Sequence, residues 1–344
     1  MFACKYSVFN ACIVQARAHT ASFMSSITLG FAMLTPPLGA SAEAPATPAK
    51  PTTGTHANTS ELTSAAPAAL PFAREHLLHS TATGRHYRIQ VSTIGKPPAN
   101  GYPVVYVLDG DAMFPVVAAA AQGMWMSAEE NRVRPMLIVG VGYAGAHMLD
   151  EQARAEDYTP PAPDLSETGD TRAQRQGGGQ RFLQFLTEEL QPAIAKAYPV
   201  DRNEQTLLGH SYGGLFTLYA LFSRPEAFRH YIASSPSIWW NKGYINQLRE
   251  DFSKRYADSS ADLQQRLRLT IGEYEQTPAP TIADDSQRAV MMRERAQVDQ
   301  ARAFAQSLQT ELPGLSVVLE EYPAQTHATA ALYAIVDGLR FASD

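Results

Sequence analysis

The sequence predicts an α/β fold with a mostly parallel central sheet and helices on both of its faces. Short apolar runs rich in β-branched residues recur along the chain, as expected of strands that are buried on both faces. Segments with apolar residues at helical spacing lie between these runs. Strands that alternate with helices form βαβ units, and such units build a parallel sheet.

Seven segments have the pattern of strands. Residues 85–91 alternate polar and apolar residues, which indicates a strand with one solvated face. The other six are mainly apolar runs at residues 104–108, 136–139, 206–208, 231–233, 267–271 and 316–319. Helices are predicted over residues 182–194, 212–222, 284–308 and 331–341. The stretch 144–180 is rich in Pro and Gly without periodicity, and a loop of that length is usually functional or disordered.

The first 42 residues have the pattern of a secretory signal peptide. They contain Lys5 and Arg17 but no acidic residue, and a short apolar run at 27–34 precedes an Ala-Ser-Ala cleavage site. The apolar run is far shorter than the roughly 20 residues that cross a bilayer, so no membrane span is predicted. A disordered tail is the alternative. We therefore expect a periplasmic or secreted protein.

Cleavage of this segment would change the composition of the mature chain. The formal net charge would go from −6 to −8 through the loss of two basic residues. The only two cysteines, Cys4 and Cys12, would also be lost, which excludes a thiolate nucleophile. The negative charge and the lack of a Lys/Arg cluster argue against a nucleic-acid partner.

The rest of the chain divides into a linker and one domain. Residues 43–70 are rich in Ala, Pro and Thr and have no periodic apolar pattern, which predicts a disordered linker. Residues 71–344 are enough for one α/β catalytic domain. The whole chain is 45% hydrophobic and 18% charged, as is typical of a globular protein with a sizeable core.

A G-x-S-x-G motif spans residues 209–213, directly after the apolar run 206–208 and before a predicted helix. This context is that of a nucleophile elbow, in which a tight strand-to-helix turn requires the glycines and exposes the serine. Ser211 would stand at the helix N-terminus, where the backbone N–H of Tyr212 can stabilise an oxyanion. The motif predicts the α/β-hydrolase fold with Ser211 as nucleophile.

A serine nucleophile needs a base, which follows it in the chain in this fold. His327 comes after the last predicted strand and before the final helix, so it would lie at the edge of the sheet where the elbow lies. His230 is the other histidine after Ser211. It opens an apolar strand and is expected to be structural.

The acid that orients the base should leave the strand between the serine and the histidine. Glu275 and Glu273 both follow that strand, and Glu275 is favoured because the chain has cleared the sheet edge there. Asp284 and Asp285 are weaker candidates because they belong to the next predicted helix. The second oxyanion donor is expected in the loop after the strand 104–108, at the backbone N–H of Gly110 or Asp111.

Residues 140–145 spell G-x-G-x-x-G after a strand, a pattern that occurs in dinucleotide-binding sites. Such a site also needs a helix directly after the motif and an acidic residue at the end of the next strand. Neither follows here. No metal-ligand spacing such as HExxH or a paired Cys/His cluster occurs, so neither a cofactor nor a metal is expected.

Several motifs together resemble the esterase branch of the α/β hydrolases, and most closely its ferric-siderophore trilactone esterases. They lie at residues 107–111, 154–160, 209–216, 233–240 and 272–275, and the resemblance covers about 72–343. The resemblance implies Ser211 and His327 as the catalytic pair. Some members of the branch work with a Ser–His dyad, which leaves the role of Glu275 open.

The resemblance also implies substrate contacts. Arg154 would anchor an anionic substrate, or would instead form a loop ion pair with Asp157 or Glu156. Trp239 and Trp240 would stack on a catecholate ring, or would pack the wall of the pocket.

The leading hypothesis is hydrolysis of a small-molecule carboxylic ester through an acyl-enzyme on Ser211. The substrate would be a ferric-siderophore trilactone. The alternatives are a general acyl or feruloyl esterase, an acyltransferase in which an alcohol replaces water, and a hydrolase-fold protein that binds without catalysis.

Overall fold

The computed structural model describes residues 69–145, 148–257 and 263–344. The predicted signal peptide, residues 1–42, lies outside the described residues, as does nearly all of the predicted linker. Within the described ranges, no helix has both the length and the hydropathy needed to cross a bilayer.

The described residues form one mixed sheet of eight strands. The strands are β1 (Ala73–His79), β2 (His86–Ile94), β3 (Tyr102–Leu108), β4 (Met136–Tyr143), β5 (Val200–His210), β6 (His230–Ser234), β7 (Arg266–Gly272) and β8 (Ser316–Tyr322). Their order across the sheet is β1-β2-β4-β3-β5-β6-β7-β8. β2 is antiparallel to β1 and to β4, and the remaining neighbours are parallel. The predicted α/β-hydrolase fold and its mostly parallel sheet are confirmed.

β1 was not expected from the sequence. It is one of the two edge strands, paired only with β2, and most of its side chains are exposed. An edge strand with little burial needs no apolar alternation, so its sequence carries no strand pattern.

The helices cover both faces of the sheet. They are α1 (Gly110–Trp125), α2 (Ala128–Asn131), α3 (Glu151–Asp157), α4 (Gly179–Gln184), α5 (Gln191–Ala197), α6 (Tyr212–Ser223), α7 (Trp240–Ala257), α8 (Gln287–Arg295), α9 (Gln297–Glu311) and α10 (His327–Phe341). A π-helical segment, Phe185–Leu190, joins α4 to α5. α1 and α10 pack on one face, and α4, α6, α7 and α9 contribute to the larger core on the other.

Two differences from the sequence predictions concern helices. The single helix predicted over residues 284–308 is two helices, α8 and α9, because Ala296 between them is left-handed with φ of 44°. α1, α2, α3 and α7 were not predicted. α1 contains an uninterrupted run of valines and alanines, residues 116–121, in which no helical periodicity can be seen.

Two of the three glycines in the G-x-G-x-x-G pattern allow a helix to pack closely on the sheet. Gly140 and Gly142 lie inside β4, and a turn at residues 144–145, not a helix, follows the strand. A Cβ atom at Gly140 would clash with Phe114, and one at Gly142 would clash with the carboxylate of Asp111. Both of these residues belong to α1, so the missing side chains let α1 lie close to the sheet.

Candidate active site

The turn between β5 and α6 holds Ser211 in a strained conformation, with φ of 60° and ψ of −116°. A Cβ atom at Gly209 would clash with the carbonyl group of Gly213, and one at Gly214 would clash with the carbonyl oxygen of Ser234. The backbone N–H of Ser211 donates to Ser234 O at 2.9 Å, which ties the turn to β6. Such strain persists only where its surroundings enforce it, and it is common at active sites.

The Ser211 hydroxyl faces a cavity of about 590 Å³ that Tyr212 and His327 also line. Ser211 Oγ lies 3.5 Å from Ser237 Oγ. Among the described residues, no hydrogen bond joins Ser211 Oγ to His327, and such bonds often tighten only when substrate is present. The N–H of Tyr212 lies in the first turn of α6, where no acceptor exists within the helix.

His327 at the start of α10 contacts Glu275, which lies in a 3₁₀ turn directly after β7. The distance between His327 Nδ1 and Glu275 Oε2 is 2.6 Å. The Glu275 side chain is fully buried, whereas that of His327 is 41% exposed. Glu275 Oε1 accepts hydrogen bonds from Ser235 Oγ at 2.5 Å and from the N–H of Gly272 at 2.8 Å. The buried carboxylate is therefore held in one orientation against the imidazole.

The other acidic candidates do not reach His327. Glu273 is exposed, and its carboxylate accepts the N–H of Ala324 at 2.7 Å. Asp284 and Asp285 are exposed and do not line the cavity. Glu275 is the candidate that the fold brings to His327.

His210, the residue before Ser211, was not singled out from the sequence. Its ring packs against that of His327, with 4.5 Å between the centroids, and its Nδ1 lies 3.1 Å from Ser234 Oγ. Burial lowers the pKa of His210 well below its usual range, and the charges of His327 and Arg154 lower it further. His210 is therefore a neutral ring that supports His327. Its place in the G-x-S-x-G motif is the signal that could have identified it.

The two candidate second oxyanion donors open α1. Asp109, just before them, is left-handed with φ of 52°, and its own N–H donates to Tyr158 Oη at 3.0 Å. The carboxylate of Asp111 accepts the N–H of Tyr143 at 2.7 Å. Neither Gly110 nor Asp111 lines the cavity. Their role as oxyanion donors stays a prediction.

Arg154 lies in α3 and lines the cavity, and its guanidinium pairs with Asp109 through two hydrogen bonds of 2.8 and 2.9 Å. Burial alone would lower the pKa of Arg154, but the Asp109 carboxylate outweighs it and raises that pKa. Neither of the alternative partners considered from the sequence pairs with it. Glu156 pairs with Arg85 at 2.6 Å, and Asp157 accepts the hydroxyl of Tyr87 at 2.7 Å.

The two adjacent tryptophans have different environments. Trp239 lines the cavity, and its ring lies 6.2 Å from that of Tyr212. Trp240 is fully buried in the core, and its Nε1–H donates to Gln176 Oε1 at 2.5 Å. Of the two roles considered from the sequence, the structure places Trp240 in packing rather than at the cavity, because successive side chains at this turn point in different directions and only Trp239 reaches the cavity.

One wall of the cavity comes from α8, which sequence reasoning did not connect with the site. This wall is lined by Arg288, Met291, Met292 and Arg295. The charged residues of α8 look like an ordinary solvated helix face in the sequence, so they carried no signal. Among the described residues, no group of three or more His, Cys, Asp or Glu side chains is arranged to hold a metal ion.

The strained serine at the elbow, the imidazole held by a buried carboxylate and the cavity beside them define a serine hydrolase of the α/β-hydrolase fold. Comparison with known proteins identifies its family. The family described as "Putative esterase" matches residues 80–311, more than half of the chain. The chain therefore belongs to this family, and it is a serine esterase.

The chain is similar to curated proteins named as siderophore esterases. It is 36% identical over 211 residues to the ferri-bacillibactin esterase BesA of Bacillus subtilis, and this match covers 60% of this chain and 72% of the relative. It is 32% identical over 292 residues to the siderophore triacetylfusarinine C esterase of Aspergillus fumigatus, and this match covers 79% of this chain and 94% of the relative. The crystal structure of the BES protein from Bacillus cereus matches with a TM-score of 0.69 at 30% identity, and the match covers 82% of this chain and 99% of the BES chain.

Proposed function

We propose that this esterase hydrolyses the ester bonds of a siderophore. The similarity to siderophore esterases carries the proposal: relatives with that name are up to 36% identical to this chain. The chain also has a nucleophile elbow and a histidine–carboxylate pair at one cavity, as an esterase requires. A cavity of about 590 Å³ lies within the range that accommodates a drug-sized molecule.

The proposed reaction begins with attack of Ser211 Oγ on the ester carbonyl carbon. His327 accepts the hydroxyl proton, and the Glu275 carboxylate, 2.6 Å from Nδ1, stabilises the imidazolium that forms. The N–H of Tyr212 donates to the oxyanion of the tetrahedral intermediate. The ester C–O bond then breaks, and His327 returns the proton to the leaving alcohol.

The acyl-enzyme on Ser211 is cleared by the reverse sequence of proton transfers. His327 takes a proton from water, the resulting hydroxide attacks the acyl carbon, and the bond to Ser211 Oγ breaks as the proton returns to the serine. In a molecule with several ester bonds, the released acid still carries esters, so the same site can act again on the product.

The test is a substrate comparison on the purified protein. Ferric and iron-free siderophore triesters, p-nitrophenyl esters and feruloyl esters are incubated with the wild type and with Ser211→Ala, and products are followed by liquid chromatography and mass spectrometry. We expect the siderophore triesters to have the largest kcat/KM, and the variant to be inactive on them. A larger kcat/KM for feruloyl or simple acyl esters would contradict the proposal.

We further propose that the protein acts outside the cytoplasm, supported by the basic, apolar and Ala-Ser-Ala pattern of the first 42 residues. Expression of the full chain in a Gram-negative host should give active protein in the periplasmic fraction with a processed N-terminus. Full-length protein confined to the cytoplasm would refute export.

A further inference from the structure

Four arginines line the cavity, and they differ in how their charges are balanced: Arg154, Arg172, Arg288 and Arg295. Arg154 is paired with Asp109 through both arms of its guanidinium. Arg172 lies 3.5 Å from the carboxylate of Asp170. These two cations therefore have counter-charges supplied by the protein.

Arg288 and Arg295, both from α8, form no ion pair with any residue in the part of the chain that the structure describes. Arg288 is exposed to solvent, whereas Arg295 is half-buried. Burial lowers the pKa of Arg295, and nearby Arg172 acts in the same direction, whereas Tyr212 and the Asp170 carboxylate act in the opposite direction without outweighing them. A guanidinium stays charged in proteins even so. The cavity thus contains a partly desolvated positive charge that no carboxylate of the described residues contacts in an ion pair, although the Asp170 carboxylate acts on it from a greater distance.

The geometry around Arg295 adds a flat surface to this charge. Its guanidinium carbon lies 3.8 Å from the centre of the Trp239 ring, in a cation–π contact. Trp239 in turn lies beside Tyr212, the neighbour of the nucleophile. The stacked guanidinium is therefore held in one orientation within the same cavity as Ser211.

A partly buried charge without a partner is unfavourable, and a ligand that supplies the opposite charge relieves the cost. The chain as a whole has a formal net charge of −6, which repels anions at long range. A local cation outside any ion pair therefore has a large effect on which substrates can stay in the cavity. Its planar fork suits oxygen anions carried on a rigid ring system.

We propose that Arg295, stacked on Trp239 and assisted by Arg288, selects a siderophore whose iron complex is anionic. The substrate class is a ferric tris-catecholate triester, in which three dianionic catecholates leave a trianion after binding Fe³⁺. A ferric tris-hydroxamate triester is neutral and gains nothing from this cation. The inference rests on the proposed siderophore esterase activity and names the substrate class of that site.

The first experiment measures binding directly. Ser211→Ala prevents turnover, and the affinity of the ferric tris-catecholate triester is measured by quenching of tryptophan fluorescence in Ser211→Ala and in Ser211→Ala/Arg295→Gln. We expect the second change to weaken binding at least tenfold, which corresponds to about 1.4 kcal/mol. The affinity should also fall less steeply with salt in the double variant, since one charge contact is missing.

The matched control is Ser211→Ala/Arg293→Gln. Arg293 lies on the same helix, is exposed, donates to the carbonyl of Asp284 and does not line the cavity. This change removes the same formal charge and should leave the affinity within about twofold of the parent.

A conservative variant, Arg295→Lys in the same Ser211→Ala background, separates charge from shape. It keeps the positive charge but loses the planar fork that stacks on Trp239. We therefore expect it to bind the ferric tris-catecholate triester more weakly than the parent and more tightly than the Arg295→Gln variant.

The second experiment compares turnover of the anionic and the neutral iron complexes by proteins with an intact Ser211. For Arg295→Gln, the ratio of kcat/KM for the ferric tris-catecholate triester to that for the ferric tris-hydroxamate triester should fall at least tenfold. Equal losses on both substrates would overturn the proposal, as would a wild type that prefers the neutral complex. Failure of the parent protein to bind the trianion would overturn it too.

The outcomes separate this inference from the proposed function. If the wild type hydrolyses the neutral siderophore triester best and Arg295→Gln has no effect, the siderophore esterase activity stands and the selection by Arg295 is refuted. If the wild type hydrolyses p-nitrophenyl acetate but neither triester, the proposed function fails, and the binding measurement still decides whether Arg295 holds the trianion.

Discussion

Replacing Glu275 by glutamine tests the part of the site that the sequence left most open. The carboxylate accepts three hydrogen bonds, from His327 Nδ1, Ser235 Oγ and the N–H of Gly272. An amide of nearly the same volume has one acceptor oxygen and one NH₂ group. Because Oε1 already faces two donors, the amide oxygen would stay there and the NH₂ would face the imidazole.

This arrangement would impose the wrong tautomer on His327. Nδ1 would have to accept a hydrogen bond, so the proton would reside on Nε2, which could then no longer accept the proton of Ser211. The expected loss in kcat is about 10⁴-fold, as for the equivalent change in other triads, or about 5.4 kcal/mol of transition-state stabilisation. The fold should be weakened by no more than about 1–3 kcal/mol, the usual cost of a buried polar mismatch.

The assay is the initial rate on p-nitrophenyl acetate, combined with the rate of Ser211 labelling by a fluorophosphonate and with thermal unfolding as a check on the fold. Glu273→Gln is the matched control, since it changes an exposed carboxylate that holds only the N–H of Ala324. We expect that control to retain most of the activity. Loss of less than tenfold for Glu275→Gln would refute the reasoning and favour a Ser–His dyad, and a larger loss for Glu273→Gln would move the role to that residue.

Three further predictions follow from the structure. Ser211→Ala and His327→Ala should each lower kcat by about 10³–10⁶-fold, and the double variant should be little worse than either because the pair acts as one unit; additive losses in the kinetics would contradict this. Arg154→Ala should lower kcat/KM for neutral and anionic esters alike, since it releases Asp109 beside the elbow; a loss confined to anionic esters would instead make it a substrate anchor. Burial lowers the pKa of His230 to about 4, so the folded state resists protonation while the unfolded state, with a pKa near 6.5, accepts it. Stability should therefore fall by about 3 kcal/mol between pH 6.5 and 4, and His230→Gln should flatten that slope in urea unfolding.

Much of the fold could be read from the sequence because its signals are local. A buried parallel strand needs a run of apolar residues, and seven of the eight described strands show a recognisable pattern. The elbow at Ser211 is equally local, since the tight turn tolerates only small residues on either side of the serine. The edge strand Ala73–His79 was missed because it is little buried, and α1 was missed because its apolar run has no period.

The choice between neighbouring side chains was decided only by the tertiary structure. Glu273 and Glu275 are two residues apart in one turn, and only Glu275 points inward to His327. Trp239 and Trp240 are adjacent, and one lines the cavity while the other is fully buried. A sequence pattern states which residue types are present near a turn, but the direction of each side chain depends on the backbone angles there.

Contacts between residues far apart in the chain could not be predicted from the sequence either. Arg154 finds its partner in Asp109, 45 residues earlier in the chain, and Arg295 stacks on Trp239 from a helix that looked like a solvated surface. The sequence by itself determined the α/β architecture and predicted the nucleophile and the chain order of the serine and its base, because each depends on local pattern. The tertiary structure alone decided which charges are neutralised within the cavity, because ion pairing depends on distances that only the packed chain defines.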